Sequence, residues 1–322
     1  MTMARWQYEK GLHDVGDGCF AYLQPHGTWG LSNAGLVTSG GEALLVDTLF
    51  DLKHTREMLD AMRAATPAAA RIGTVVNTHA NGDHCYGNQL VDGATIVATR
   101  AGAAEMDEVP ASLLATYMRA ARAGAAGALG DYLLHCFGAF DFEGIAPAAP
   151  TRVFDGELTL AVGDKQVRLL EVGPSHTKGD LLVHVPGDRL IYTGDILFIH
   201  GTPIMWAGPV GNWIKACDTI MALDVDVIVP GHGPVTDQQG VRAVRDYLVY
   251  IRDEARRRYD AGMAPAEAAR DIALGDHASL HDAERIAVNV HTLYREFSGG
   301  RLAPPGPIEL FGLMAELARK PR

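Results

Sequence analysis

Between residues 19 and 229, short runs of β-branched and aliphatic residues recur, each closed by Gly, Pro or a polar residue. The runs at 19–24, 35–39, 43–48, 72–77, 95–98, 154–162, 166–172, 181–185, 189–192 and 225–229 have the length and residue types that strands favour. Two pairs read as hairpins, one turning at Gly163-Asp164 and one at Pro186-Gly187-Asp188. Helical spacing of apolar positions appears instead at 52–65, which stops before Pro67, and at 212–223. Ala- and Gly-rich helical sequence fills about 100–134, and beyond 237 the pattern is wholly helical, over 237–261, 265–274, 281–297 and 309–317. Strands interleaved with helices, followed by a helical tail, predict an α/β fold.

Four of the strand-like runs end in metal-ligand chemistry. The run at 72–77 leads into Thr78-His79-Ala80-Asn81-Gly82-Asp83-His84, and Asp83 stands where it could cap a helix opening at Cys85. Val172 is followed by Gly173-Pro174-Ser175-His176-Thr177-Lys178-Gly179-Asp180, Ile191 by Tyr192-Thr193-Gly194-Asp195, and Val229 by Pro230-Gly231-His232-Gly233. In α/β sheets ligands collect at the carboxyl ends of strands, and a turn fans neighbouring imidazoles and carboxylates around one point. One loop histidine carries little information; His79, Asp83, His84, His176, Asp195 and His232 at four strand ends together predict a metal centre.

The order T-H-x-x-x-D-H, G-P-S-H-T-x-G-D, Y-T-G-D, P-G-H-G resembles the metallo-β-lactamase superfamily over about residues 30–235. The resemblance implies a four-layer αββα sandwich with one or two metal ions, Zn2+ first with Mn2+ or Fe2+ as alternatives. Carried over by motif, His79 and His176 serve a first site, Asp83, His84 and His232 a second, and Asp195 bridges them. Asp83 also orients the nucleophile. The implied activity is hydrolysis of a small-molecule ester, thioester, lactone or β-lactam by a metal-bound hydroxide. This chain departs from the family pattern H-x-H-x-D-H at Asn81, an additional candidate ligand whose neutral amide suits zinc poorly. His79, His176 and Asp195 alone make a two-histidine, one-carboxylate set, so a non-haem iron oxygenase resembling persulfide dioxygenases is the alternative reading.

Against this frame the chain reads as one domain, 1–322, with a helical insertion at about 100–146 and a helical C-terminal extension at about 237–322. The insertion is read either as core or as a lid carrying Tyr117, Met118, Tyr132, Phe137, Phe140 and Phe142; the extension either covers the sandwich or makes a homodimer contact. In the family a hairpin loop leans over the metals, which makes His26 and Trp29 candidate substrate contacts; Lys178, His200 and Trp206 are further ones. Asp47 and Asp180 read as braces of ligand loops, and Gly194 as room for the backbone behind Asp195.

Composition narrows the partners. A net charge of −11 without a basic tract argues against nucleic acid, leaving a small-molecule substrate. Cys19, Cys85, Cys136 and Cys217 are scattered, which suits a reducing cytoplasm. The opening residues show no apolar leader run, and no stretch approaches the ~18 apolar residues of a membrane span.

Overall fold

The computed structural model describes residues 7–319; the leader expectation falls largely on residues 1–6, outside them. Seven strands neighbour one another in chain order in a first sheet: β1 (Gly11–Gly16), β2 (Cys19–Leu23), β3 (Ala34–Ser39), β4 (Glu42–Val46), β5 (Thr74–Val76), β6 (Thr95–Thr99) and β7 (Arg152–Phe154). The first four pair antiparallel and the rest parallel. Parallel pairing needs crossovers, and helices supply them: α1 (Leu52–Ala65) before β5, the short α2 (Gly82–Cys85) before β6, and α3 (Arg100–Glu105), α4 (Ala111–Arg122) and α5 (Gly127–Phe137) before β7. The second sheet runs β12-β11-β10-β9-β8, from β8 (Glu157–Val162), β9 (Lys165–Glu171), β10 (Leu181–Val185), β11 (Leu190–Tyr192) and β12 (Val227–Val229), with α6 (Val210–Ala222) joining the last two. α7 (Gln238–Asp260), α8 (Pro265–Asp271), α9 (Ile286–Phe297) and α10 (Pro307–Ala318) follow.

Two-residue periodicity makes the layers. Leu44, Val46 and Val76 of the first sheet face Leu181, Val183, Leu190, Tyr192, Val227 and Val229 of the second, in one core between the sheets. The alternate residues face outward. Leu45 and Val75 pack with Met58, Leu59 and Met62 of α1, while Leu182, Ile191 and Ile228 pack with the helices on the other side. Sheets buried on both faces read as near-continuous apolar runs, which is why the strands were visible in the sequence. The result is the αββα sandwich.

Three expectations shift. The run 154–162 is two strands in different sheets, because Gly156 at φ 73° turns the chain between β7 and β8. Helix α9 begins at Ile286 rather than 281; residue 281 instead bridges to Gly201. Asp83 does not cap a helix: it lies inside the first turn of α2, whose cap position is Asn81.

Phe137, Phe140 and Phe142 bury their rings around Phe50, with centroids 5.8, 5.0 and 4.8 Å away. Tyr132 donates to Glu284 at 2.9 Å, and Trp29 packs 5.8 Å from both Phe137 and Phe311. The insertion helices, the C-terminal helices and the loop after β2 thus share one aromatic cluster. The outer face of the second sheet is covered by α6 together with α7 and α9 of the extension.

Candidate metal centre

β9, β10 and β11 alternate in direction while β11 and β12 run parallel, so β9, β11 and β12 all end on one edge. His176, Asp195 and His232 follow those ends, and His79, Asp83 and His84 follow β5 in the opposing sheet. The loops of the two sheets meet closely: Gly194, at φ 49°, lies against Thr78, where a side chain would collide. Leu181 donates its backbone N–H to Thr78 O at 2.9 Å, a second tie across the sandwich.

The Asp195 carboxylate sits at the centre of four imidazoles. Its Oδ1 lies 3.1 Å from His84 Nε2; its Oδ2 lies 3.4 Å from His176 Nε2, 3.4 Å from His232 Nε2 and 3.7 Å from His79 Nε2. Asp83 Oδ2 is 3.3 Å from His232 Nε2 and 3.8 Å from His84 Nε2. Two groups result, His79-His176-Asp195 and Asp83-His84-His232, each with its ligand atoms within 4.8 Å of one another. Two donors bound tetrahedrally at zinc–nitrogen distances stand about 3.3 Å apart, so the spacing fits a cation inside each group. His79 Nε2, His84 Nε2 and Asp195 Oδ1 are buried without a hydrogen-bond partner among the described residues. Buried polar atoms left unpaired are costly, and lone pairs that converge are satisfied together by a metal ion.

The opposite ring nitrogens fix the orientation. His84 Nδ1 donates to Asp47 at 2.9 Å, and His176 Nδ1 to Ile204 O at 2.6 Å. His79 Nδ1 lies 3.1 Å from Thr78 Oγ1, which donates to Asp47 at 2.7 Å. Each contact keeps a proton on Nδ1 and aims the Nε2 lone pair inward. Asp47, at φ 63°, therefore braces two ligands at once. Asp180 accepts from the Thr177 N–H and hydroxyl, and burial raises its pKa to about 8 against those bonds.

Asn81 turns its amide into the first group, with Oδ1 2.8 Å from His176 Nε2. The proton of His176 is committed to Ile204, so Nε2 presents a lone pair. At 2.8 Å the pair has hydrogen-bond spacing, which the amide satisfies by reversing to donate its N–H to Nε2; with its oxygen inward it would instead offer a donor to a cation in the first group.

Charge follows position. Burial pulls the His79 and His176 pKa values down, only partly offset by Asp195. Burial also opposes protonation of His84 and His232, but the nearby aspartates outweigh it, holding His84 well above the ordinary range and His232 at about 9. Asp195 and Asp83 are held below the carboxylate range, because the imidazoles outweigh the burial that would raise them. Before a cation binds, His232 is thus an imidazolium below about pH 9, while a ligand must be neutral. Metal affinity should rise with pH up to that point, about tenfold per unit for each displaced proton. Zinc calorimetry at pH 7 in two buffers of different protonation enthalpy should show proton release; heats independent of buffer would contradict it.

The candidate substrate contacts are scattered in role. Trp29 is buried in the aromatic cluster, with its indole N–H 3.5 Å from Glu284. His26 is exposed, on a loop whose Gly27 abuts Gly233. Lys178 is engaged by Glu108 and Glu105 of the insertion. Trp206 is half-buried and donates its backbone N–H to His176 O at 2.9 Å, beside the first group. His200 is exposed, at φ 66°, two residues after Phe198.

Two positioning side chains carried no signal. Ser32 Oγ donates to Asp83 O at 2.6 Å, and Asn33 Nδ2 donates to Pro230 O at 3.0 Å and Gly233 O at 2.8 Å. Both act on partners far along the chain, and neither lies in a motif.

Residues 27–232 match the family model described as Metallo-beta-lactamase superfamily. The chain is 28% identical over 143 residues to the linear primary-alkylsulfatase of Pseudomonas sp. (strain ATCC 19151), covering 40% of this chain and 26% of that protein. It resembles the structure of the sec-alkylsulfatase Pisa1 from Pseudomonas sp., at 15% identity and TM-score 0.65, over 93% of this chain and 53% of that one. A metallo-beta-lactamase from Pontibacter korlensis matches at 18% identity and TM-score 0.53, over 75% of this chain and 99% of its own. The chain thus spans about a quarter of the curated alkylsulfatase and about half of the solved one.

Proposed function

The chain belongs to the metallo-beta-lactamase superfamily, and we propose from that membership that it is a metal-dependent hydrolase cleaving an ester-type bond in a small molecule. The observation that carries the reading is the Asp195 carboxylate, ringed by four inward-facing imidazoles with Asp83 alongside. His79 and His176 would hold one divalent cation, with Asn81 Oδ1 as a third, neutral donor; Asp83, His84 and His232 would hold the other. Zn2+ suits the imidazole donors, while Mn2+ or Fe2+ suits the amide of the first set better. When bound, such cations would acidify a water to near neutral pKa and polarise the carbonyl or sulfuryl oxygen of the group under attack.

The residues do the rest. Asp195 belongs to the first group and lies 3.1 and 3.4 Å from His84 and His232 of the second, so it would link the two. Asp83 is held ionised by His84 and His232 and, with a side chain 13% exposed, is the least buried member of the second group. It is placed to accept a proton from the attacking water and to hold its lone pair toward the substrate. Lys178 is paired with acids and Arg285 is buried against Asp282, so neither offers a cation to a substrate anion. We place the reacting group of the substrate at the centre itself. Carboxylic esters, thioesters, lactones and β-lactams meet that demand, and the alkylsulfatase relative adds sulfuric esters.

The test is hydrolysis of one member of each class by zinc-loaded protein, with and without chelator. Turnover of at least one class, abolished by chelator and restored by metal, supports the reading. No turnover in any class by fully loaded protein overturns it. One observation favours the iron oxygenase as a second reading: His79, His176 and Asp195 converge as a group of their own. Iron in the protein purified without added metal, with dioxygen consumed during turnover, would select it.

A further inference from the structure

Three of the four ligand histidines have their Nδ1 anchored by a hydrogen bond. His232 does not: its Nδ1 is buried without a partner among the described residues. Something else must set the plane of that ring.

Phe198 and His232 are partners in a parallel β-bridge, and Ile199 donates its N–H to His232 O at 2.9 Å. Their rings stack with centroids 5.0 Å apart and planes 4° from parallel. The guanidinium of Arg285 stands 5.4 Å from the Phe198 centroid and 4.5 Å from that of Trp29. Arg285 is 2% exposed, donates from Nη1 to Thr202 O at 3.0 Å and pairs through Nη2 with Asp282 at 2.9 Å. A buried arginine is costly unless its charge and donors are met. Here the ion pair, the carbonyl and two aromatic faces meet the charge and the two terminal nitrogens, while Nε has no hydrogen-bond partner among the described residues; together these contacts fix the guanidinium against Phe198.

We propose that Phe198 and Arg285 are positioning residues for the second metal site: they hold the His232 ring by stacking, in place of the hydrogen bond that holds the other three ligands. Arg285 belongs to the turn before α9, so the C-terminal helices reach the metal site through this stack. The inference rests on the metal-centre reading but not on any substrate.

The test is zinc and cobalt binding by Phe198→Leu, Arg285→Lys and the double variant. Each is titrated against a competing chelator beside native protein, and the second-site step is assigned as the one that Asp83→Asn abolishes. Loss of an outer partner typically lowers metal affinity about 10–100-fold. Each single variant should weaken the second-site step about tenfold or more and alter the cobalt absorption bands of that step. Arg285→Lys should leave the first-site step unchanged, and Phe198→Leu, whose ring also meets His176 edge-on at 5.6 Å, should weaken it less than the second. Because both act through one ring, the double variant should fall no further than the weaker-binding single variant. Native-like affinity and spectra at the second site in both singles would overturn the proposal. So would equal weakening of both sites together with a lowered melting temperature of the metal-free protein, which would mark plain packing. Native protein that binds no metal would instead defeat the metal-centre reading beneath it.

Discussion

Asp195→Ala should empty both sites and abolish turnover, while the protein stays folded. Its carboxylate lies 3.1–3.7 Å from four ligand nitrogens, two in each group. Loss of an outer partner in a metal site typically costs about 10–100-fold in affinity or activity, and a shared direct ligand should cost more. The fold should persist because the sheets pack through Leu44, Val46, Leu181, Leu190 and their neighbours, not through this side chain. The imidazoles also hold Asp195 ionised, so its removal strips His84 and His232 of the anion that raises their pKa values. Metal content by mass spectrometry, turnover and far-UV circular dichroism check the three parts. A folded variant with native metal content and turnover would remove Asp195 from the centre of the account.

Asn81→His should convert an uneven pair of sites into two tight ones. The native amide already points at the first group, 2.8 Å from His176 Nε2, so a histidine there would add a third imidazole. A neutral amide oxygen is a poor donor for zinc. Native protein should therefore bind zinc in two steps, the first-site step weaker, or accept manganese in its place. The variant should move toward two zinc ions of similar, tight affinity. Turnover need not rise, because a filled first site can close a coordination position that substrate uses. Zinc titration of both forms in one buffer decides it. Two equally tight ions in the native protein would show that Asn81 is an adequate ligand.

The residues of the centre were legible because each is a local event: an apolar strand, then His or Asp, then a turn. Asp47 and Asp180 were legible as braces for the same reason. What periodicity cannot show is which distant loops meet. Asn33 reaches Pro230 and Gly233, and Arg285 reaches Trp29, contacts that only the closed sandwich creates. The hairpin loop expected from the resemblance suggested Trp29 as a substrate contact; its ring is buried among Phe137, Phe311 and Arg285. Lys178 suggested an anion partner, but Glu105 and Glu108, far off in sequence, neutralise it. The split of 154–162 hid behind Gly156, because one glycine in a strand-like run marks either a bulge or a turn.

The most direct test of the metal centre is diffraction from zinc-soaked crystals at the zinc absorption edge. Two anomalous peaks about 3.5–4 Å apart are expected. One, at higher occupancy, should lie among Asp83, His84 and His232, and a weaker one among His79, His176 and Asn81, with the Asp195 carboxylate between them. The absence of any peak beside Asp195, in crystals that hold zinc elsewhere, would contradict it.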